Sequence, residues 1–440
     1  MKSATFCKSI LLSVSLLLAS SAFAATTNSF QIGNPVNVNG TALKPGDYTV
    51  KWDGNGPNVE LSILQGTRLK AKVTARLVEL KAPAERNEAI EQKNPGLANT
   101  LTSLQFQGKT TTLEFGASDA PAGVLLVVNQ GDADLGIVDP HTAQQVARIL
   151  EGDTTGHEVA VSLDGKTAYV PIYGDSSVGE AGTDGRDLVA IDIASRKVVG
   201  HLDFGHGVRP HCAVMNPKDG MLYVTTELDQ TVTIIDPKTL KIVGVIPTGQ
   251  EQSHMLVISH DGRFGYTANV SAGTVSVLDI PARKLLSVIP VSTKVQRISI
   301  SADDKWVFTA DQAKPQLAVI DTATNKLKTW ISIAAPGYGT ASTLDGRWLL
   351  VCVPGASQVS VVDLRTLQVV RTIPVPKVPH EIVISFDDKT AYVSCIRSKK
   401  VAAIELSDWS VKSLIDAGDS VDGMAWAAPV AIQQIVSAAR

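Results

Sequence analysis

The chain has 440 residues, 40 Lys and Arg against 43 Asp and Glu, and a formal charge of −3. This mildly acidic balance argues against a nucleic-acid surface, which needs an excess of basic side chains. Although 44% of the residues are hydrophobic, no run after residue 24 is long and apolar enough to cross a bilayer.

Lys2 and Lys8 flank the apolar run from Ile10 to Ala19, and Ala22-Phe23-Ala24 precedes a polar stretch. This reads as a secretory signal peptide (1–24), cut after about Ala24 and too short to be a spanning helix. Cys7 lies ahead of the apolar run, where it is no lipid-anchor cysteine. Losing the two lysines takes the charge from −3 to −5. The mature chain is expected to be a soluble monomer, periplasmic or extracellular. Three cysteines remain, Cys212, Cys352 and Cys395. They read as core fillers, with a Cys352–Cys395 disulfide as the alternative.

Residues 29–120 carry short alternating or apolar runs broken by Gly, Asn and Pro: Pro35–Val38, Asp47–Trp52, Val59–Leu64, Leu69–Val78, Leu101–Phe106 and Thr111–Phe115. They predict a small β-sandwich or barrel, with a loop or short helix around Ala84–Gln92. The Leu43-Lys-Pro-Gly-Asp-Tyr-Thr-Val50 segment resembles the turn and strand of small sandwich domains attached to secreted proteins. Ser118 to Gly123 links this unit to the next.

From residue 124 to 427 one unit recurs seven times, an apolar strand ending in an acid and a hydroxyl-bearing turn. The acids are Asp139, Asp192, Asp236, Asp279, Asp321, Asp363 and Glu405, separated by 53, 44, 43, 42, 42 and 42 residues. A period near 42 with four short strands per unit predicts a seven-bladed β-propeller. The pairs Asp164-Gly165, Asp219-Gly220, Asp261-Gly262 and Asp345-Gly346 supply the positive φ of a tight turn. Asp303-Asp304 and Asp387-Asp388 lack the glycine and predict looser turns. The seven acids themselves read as turn builders. Blade one lacks an innermost strand at its front, and Val421–Ala427 matches that missing piece, so the ring should close by pairing the two. The tail from Ala428 to Arg440 reads as a short outer helix.

The stretches Leu222–Thr226, Thr231–Asp236, Lys241–Gly249 and Thr274–Asp279 resemble YVTN-type repeat proteins, extracytoplasmic seven-bladed rings. The resemblance covers about residues 124–427 and implies the fold. It implies no single reaction, because related rings include lactonases, the haem d1 domain of nitrite reductase and the heavy chain of amine dehydrogenases.

Aligning the repeats on the Asp-Gly turn places one slot at the start of each innermost strand. It holds His157, His211, His254, Gln296, Tyr338, His380 and, in the closing strand, Asp422. By symmetry these side chains converge on one mouth of the channel, as a collar for a small ligand or a protein partner. A second reading has them capping strand starts. No cofactor is expected; the alternative is a divalent metal on His157, His211, His254 and Asp422. Glu158 and Glu381 follow histidines directly, and strand alternation would point them to the opposite side.

Blade two is longer by an insertion, Tyr173–Asp187, whose Asp175, Glu180, Asp184 and Asp187 make it acidic and whose glycines make it mobile. It should overhang the histidines as a lid, a cation-binding loop or a tolerated surface insertion. On the same face second strands end in Asn129, Glu227, Asn269, Asp311 and Arg397, while Arg209, Arg297 and Arg397 read as solvated surface residues unless they point inward. There is no Gly-x-Ser-x-Gly elbow, no phosphate loop, no Cys-x-x-Cys-His and no His-Glu-x-x-His. The primary expectation is an exported binding or interaction module. The alternative is a lactonase-like hydrolase using Arg209, His211, Glu227 and His254.

Overall fold

The computed structural model describes residues 26–38, 41–54, 58–92, 99–115, 123–140, 142–152 and 154–427. The expected signal peptide, most of the expected linker and the expected tail helix fall outside them. The chain divides into two compact units between Asp119 and Ala120. No helix among the described residues is long and apolar enough to cross a membrane.

The first unit is one nine-stranded sheet, running from Thr26–Ile32 through Gly46–Trp52, Asn58–Gln65, Arg68–Glu79, Thr111–Glu114 and Asn99–Gln105 to the hairpin Val36–Val38 and Thr41–Leu43. Its inward side chains form a single core, with Phe30 stacked on Tyr48 and Trp52 on Phe106. The Tyr48 hydroxyl donates to the Lys44 carbonyl at 2.8 Å and braces the Lys-Pro-Gly turn. The expected loop or helix around Ala84–Gln92 is instead a strand, Glu88–Gln92, paired antiparallel with Asn99–Gln105. Ladder pairing there overrides a polar, proline-flanked sequence.

The second unit is the seven-bladed propeller. Four antiparallel strands make each blade, and blade one takes its innermost strand, Val421–Ala427, from the C-terminal end, paired with Val124–Asn129. Trp426 stacks on Tyr392 of blade seven at 5.6 Å, so the closing strand also packs against the neighbouring sheet. Between the third and outermost strands every blade carries a register shift. Such bulges twist an exposed edge away from further pairing.

The Asp-Gly turns form as expected, with φ of +73° at Gly165, +69° at Gly220, +71° at Gly262 and +70° at Gly346. The Asp-Asp turns are not looser. Asp304 (φ +58°) and Asp388 (φ +55°) take the same left-handed conformation. Their carboxylates reach across to the next sheet: Asp304 accepts from the His260 backbone N–H at 2.9 Å, and Asp388 from those of Leu344 and Asp345 at 2.8 and 2.9 Å. Two inter-blade bonds offset the strain that glycine would have avoided. The repeat acids are turn builders, as in Asp236, which accepts from Lys238 N and Thr239 Oγ1 at 2.9 Å each. Cys212, Cys352 and Cys395 are free and buried, with no disulfide.

Candidate functional site: a histidine mouth above an ionic plug

Each innermost strand opens on a left-handed residue two positions before the collar slot in four blades: Arg209 (φ +49°), Gln252 (φ +53°), Val378 (φ +59°) and Ser420 (φ +50°). Their conformation turns the chain from the outer loop down toward the axis. A register shift follows in the ladder, between Pro210 and Ala213, Ser253 and Met255, Val295 and Ile298, and Pro379 and Ile382. In blade two the strand breaks outright between Thr155–Gly156 and Ala160–Val161. Inside a bulge two successive side chains escape strict alternation.

That is why Glu158 and Glu381 do not turn away from the channel as alternation predicts. Both carboxylates meet the Arg297 Nη1, and Asp422 Oδ1 accepts from Arg297 Nη2 at 3.0 Å. Arg297 is 2% exposed, so it is no solvated surface residue. It is a strut from blade five to blades two, seven and one, and it plugs the channel. His380 Nδ1 lies 2.8 Å from Asp422 Oδ1 and its ring 4.0 Å from that of Tyr338, whose face Arg297 overlies at 5.1 Å. Gly339 and Gly423 make room: a Cβ at either would sit 2.2 or 2.4 Å from the carbonyl oxygen of His380 or His157.

Three carboxylates surround one guanidinium. Burial holds Glu158 well above the usual carboxylate range and raises Glu381 as well, while Arg297 lowers both only in part. Asp422 is also buried, yet His380 and Arg297 hold it below its ordinary value. Within the plug, burial favours the protonated form of the two glutamates, and Arg297 opposes it.

The other slot residues form a second cluster. The rings of His157 and His211 are 5.4 Å apart, those of His211 and His254 only 3.5 Å, and Tyr173 packs 4.5 Å from His157 and 5.3 Å from His211. Gln296 donates to His254 Nε2 at 3.2 Å, which leaves the proton on Nδ1, given to Glu227. Glu227 also accepts the Tyr173 hydroxyl at 2.9 Å. Burial pushes His157 down to about 4 and His211 well below its ordinary value, so both are neutral imidazoles at physiological pH. His211 is 1% exposed and its Nδ1 has no hydrogen-bond partner.

The seven expected collar residues thus split into two groups, His157, His211, His254 and Gln296 on one side and Tyr338, His380 and Asp422 on the other. The alternative metal set is broken by that split. Asp422 is held by Arg297 and His380, His254 Nδ1 by Glu227, and no group of three or more His, Cys, Asp or Glu among the described residues is arranged to hold an ion. Of the alternative catalytic set, His211, Glu227 and His254 meet, whereas Arg209 turns to the insertion. Asn129, Asn269 and Asp311 serve their own turns, and Arg397 is exposed. Sequence reasoning missed Tyr173, and it missed the plug as a unit. The signal for the plug was there: the residue after each slot reads Glu158, Arg297 and Glu381 in blades two, five and seven.

The insertion is partly strand, since its flanking strands extend to Thr167–Gly174 and Asp184–Asp192. Arg209 is buried and pins it, donating to Asp184 Oδ1 at 2.5 Å and to the Glu180 carbonyl at 2.9 Å.

A family model described as "Cytochrome D1 heme domain" matches residues 216–340. No curated protein matches the chain. Among solved structures, Kuenenia stuttgartiensis hydrazine synthase is similar over 66% of this chain and 97% of its own, at 18% identity and a TM-score of 0.56. A functionally unknown protein from Desulfotomaculum acetoxidans is similar over 70% and 100%, at 16% identity and a TM-score of 0.59. The dihydro-heme d1 dehydrogenase NirN in complex with DHE is similar over 73% and 78%, at 16% identity and 0.51. Identities this low speak for the fold. By that fold the chain is a seven-bladed β-propeller with an additional N-terminal β unit.

Proposed function

We propose that the protein is an exported binding module that holds a small ligand at the propeller mouth against His211. The carrying observation is the His211 Nδ1, neutral, buried and without a partner. An unsatisfied buried polar atom costs about 1–3 kcal/mol, and a ligand atom bonded to it recovers that cost. Tyr173 and His157 supply aromatic faces beside it, and Glu227 fixes His254. Export rests on the leader pattern of residues 1–24.

Haem-type groups enter through the matched family model and the NirN complex. A neutral imidazole such as His211 suits an iron. The rest of the mouth does not suit a tetrapyrrole with several carboxylates, since Arg209 and Arg297 are both paired inside the protein and His157, His211 and His254 are at most 6% exposed. In this conformation the residues do not fit that group, and the reading assigns a smaller ligand.

Thermal unfolding against a panel of small carbonyl and carboxylate compounds, with a parallel titration of ferric haem followed at its Soret band, tests the reading. A ligand of this mouth raises the midpoint of the wild type and not of His211→Ala. If no compound stabilises in a His211-dependent way, the reading fails. A Soret shift lost in His211→Ala would replace the small ligand with a tetrapyrrole.

The Glu227–His254 pair favours one second reading, a lactonase-like hydrolase. Here His254 Nε2 takes a proton from water, the hydroxide adds to a lactone carbonyl, the ring C–O bond breaks and the proton passes to the leaving alkoxide. Turnover of a lactone panel that disappears in Glu227→Gln would establish it; no turnover would leave the binding module.

A further inference from the structure

The poor fit to carboxylate-bearing ligands has a structural source. Arg209 is a charged side chain 7% exposed. Its counter-ion, Asp184, comes from the inserted segment and has a side chain 42% exposed. The second contact of the guanidinium, the Glu180 carbonyl, comes from the same segment. The loop between the two long strands of blade two then runs on to blade four, where Gly179 (φ +78°) lies against Gln252, whose amide nitrogen would stand 3.1 Å from a Cβ placed there. It therefore spans blade three, the blade that carries His211. Within the loop, Thr183 N donates to Asp175 Oδ1 at 2.6 Å and Glu180 N to Ser177 O at 3.0 Å; its base is tied by the Gly185 carbonyl, which accepts from Val208 N and Arg209 N at 3.0 and 2.9 Å, and the side-chain tie above that base is Arg209.

Arg209 also reaches the collar. Its guanidinium carbon is 5.7 Å from the centre of the Tyr173 ring, and Tyr173 donates to Glu227, which holds His254. One line of contacts runs from the loop acid through arginine and tyrosine to the histidines.

We propose that Asp184 is an internal stand-in for a ligand carboxylate. A carboxylate-bearing ligand takes its place on Arg209, the loop is released, and the mouth above His211 opens. This rests on the binding-module reading and adds the ligand class to it: a small monocarboxylate with a flat apolar body that packs on Tyr173. A guanidinium presents parallel donors to a carboxylate that a neutral amide cannot match, so charge decides the exchange. While the loop is latched, the apparent affinity falls by the fraction of molecules already open, and weakening the latch removes that reduction.

Hydrogen exchange of the loop amides on the full protein, with benzoate and its neutral counterpart benzamide as probes, tests the proposal. Saturating benzoate should speed exchange across residues 175–183 about tenfold, and benzamide should leave it unchanged. Asp184→Asn should exchange fast without any probe and bind benzoate about tenfold more tightly. Arg209→Gln should lose the benzoate response. Equal effects of benzoate and benzamide, an unchanged benzoate affinity in Asp184→Asn, or a benzoate response retained in Arg209→Gln would overturn it. The collar reading is scored separately by His211-dependent stabilisation. Loop release by benzoate without that dependence sinks the collar alone, and His211-dependent binding without loop release sinks the latch alone.

Discussion

The two sides of the channel begin from the same strand slot and end in opposite chemistry. Blades two to four bring three imidazoles together beside Tyr173, those of His157 and His211 neutral and one with an unpartnered nitrogen. Blades five and seven and the closing strand bring a guanidinium and carboxylates that bond one another through Arg297 Nη1 and Nη2. Repetition supplies the place, and the residue after the slot supplies the role. On the ionic side both terminal nitrogens of the strut bond carboxylates and hold the ring, and what is left over is a donor, the Arg297 Nε; on the imidazole side the remainder is the His211 Nδ1 beside aromatic faces, and that remainder points to a ligand.

Removing the strut should have the largest effect. Arg297→Met leaves Glu158 and Glu381 buried without their guanidinium and Asp422 with His380 alone, and the expected loss is about 3–5 kcal/mol in urea unfolding. A loss under about 1 kcal/mol would mean that the plug does not hold the blades. On the imidazole side Glu227→Gln should cost less, about 1.5–3 kcal/mol, because one charged bond to His254 and one to Tyr173 weaken while the cavity stays filled. Equal costs for the two variants would erase the contrast between the sides.

The inter-blade clamps come next. Asp304→Gly relieves the left-handed strain and deletes the bonds to His260, and we expect a net loss of about 1 kcal/mol by the same unfolding measurement. A gain in stability would show that the carboxylate there merely fills a glycine position.

The two sides should also respond to pH with opposite sign. Glu158 and Glu381 have folded values above their unfolded 4.5, so their contribution is full below that pH and is lost as pH rises through the folded values. His157 falls to about 4 from 6.5, so its contribution is full above 6.5 and is lost as pH falls toward 4. Above pH 4.5 the two trends therefore oppose each other, the glutamates losing stability as pH rises and His157 gaining it up to 6.5. As pH rises from 4.5, Glu158→Gln should lose less stability, or gain more, than the wild type in urea midpoint, and identical pH profiles in both would contradict the raised Glu158 carboxyl.

Much of the ring was legible because its signals are local and repeated: the acids at the third-strand ends, the Asp-Gly turns, and Val421–Ala427 as the strand that blade one lacks. The slot itself was legible too, since it is a matter of counting from the turn. What was not legible was orientation. Alternation fails where Val295–Ile298 and Pro379–Ile382 bulge and where the blade-two strand breaks between Gly156 and Ala160, and that failure carries Arg297, Glu381 and Glu158 into the axis. Asp304 and Asp388 hid a second role, because a side chain's reach to a neighbouring blade leaves no trace in its own repeat. In the first unit, Glu88–Gln92 became a strand through pairing with Asn99–Gln105, a partner that local propensity does not reveal.

The central claim is that distant histidines meet, neutral and buried, around one mouth. Imidazole NMR across pH 3.5 to 8 reads it residue by residue, with His157→Ala and His211→Ala to assign the signals. The account predicts that His157 stays uncharged until about pH 4 and that His211 does not protonate near 6.5. Both signals titrating together near 6.5 would place these rings in water and contradict the collar.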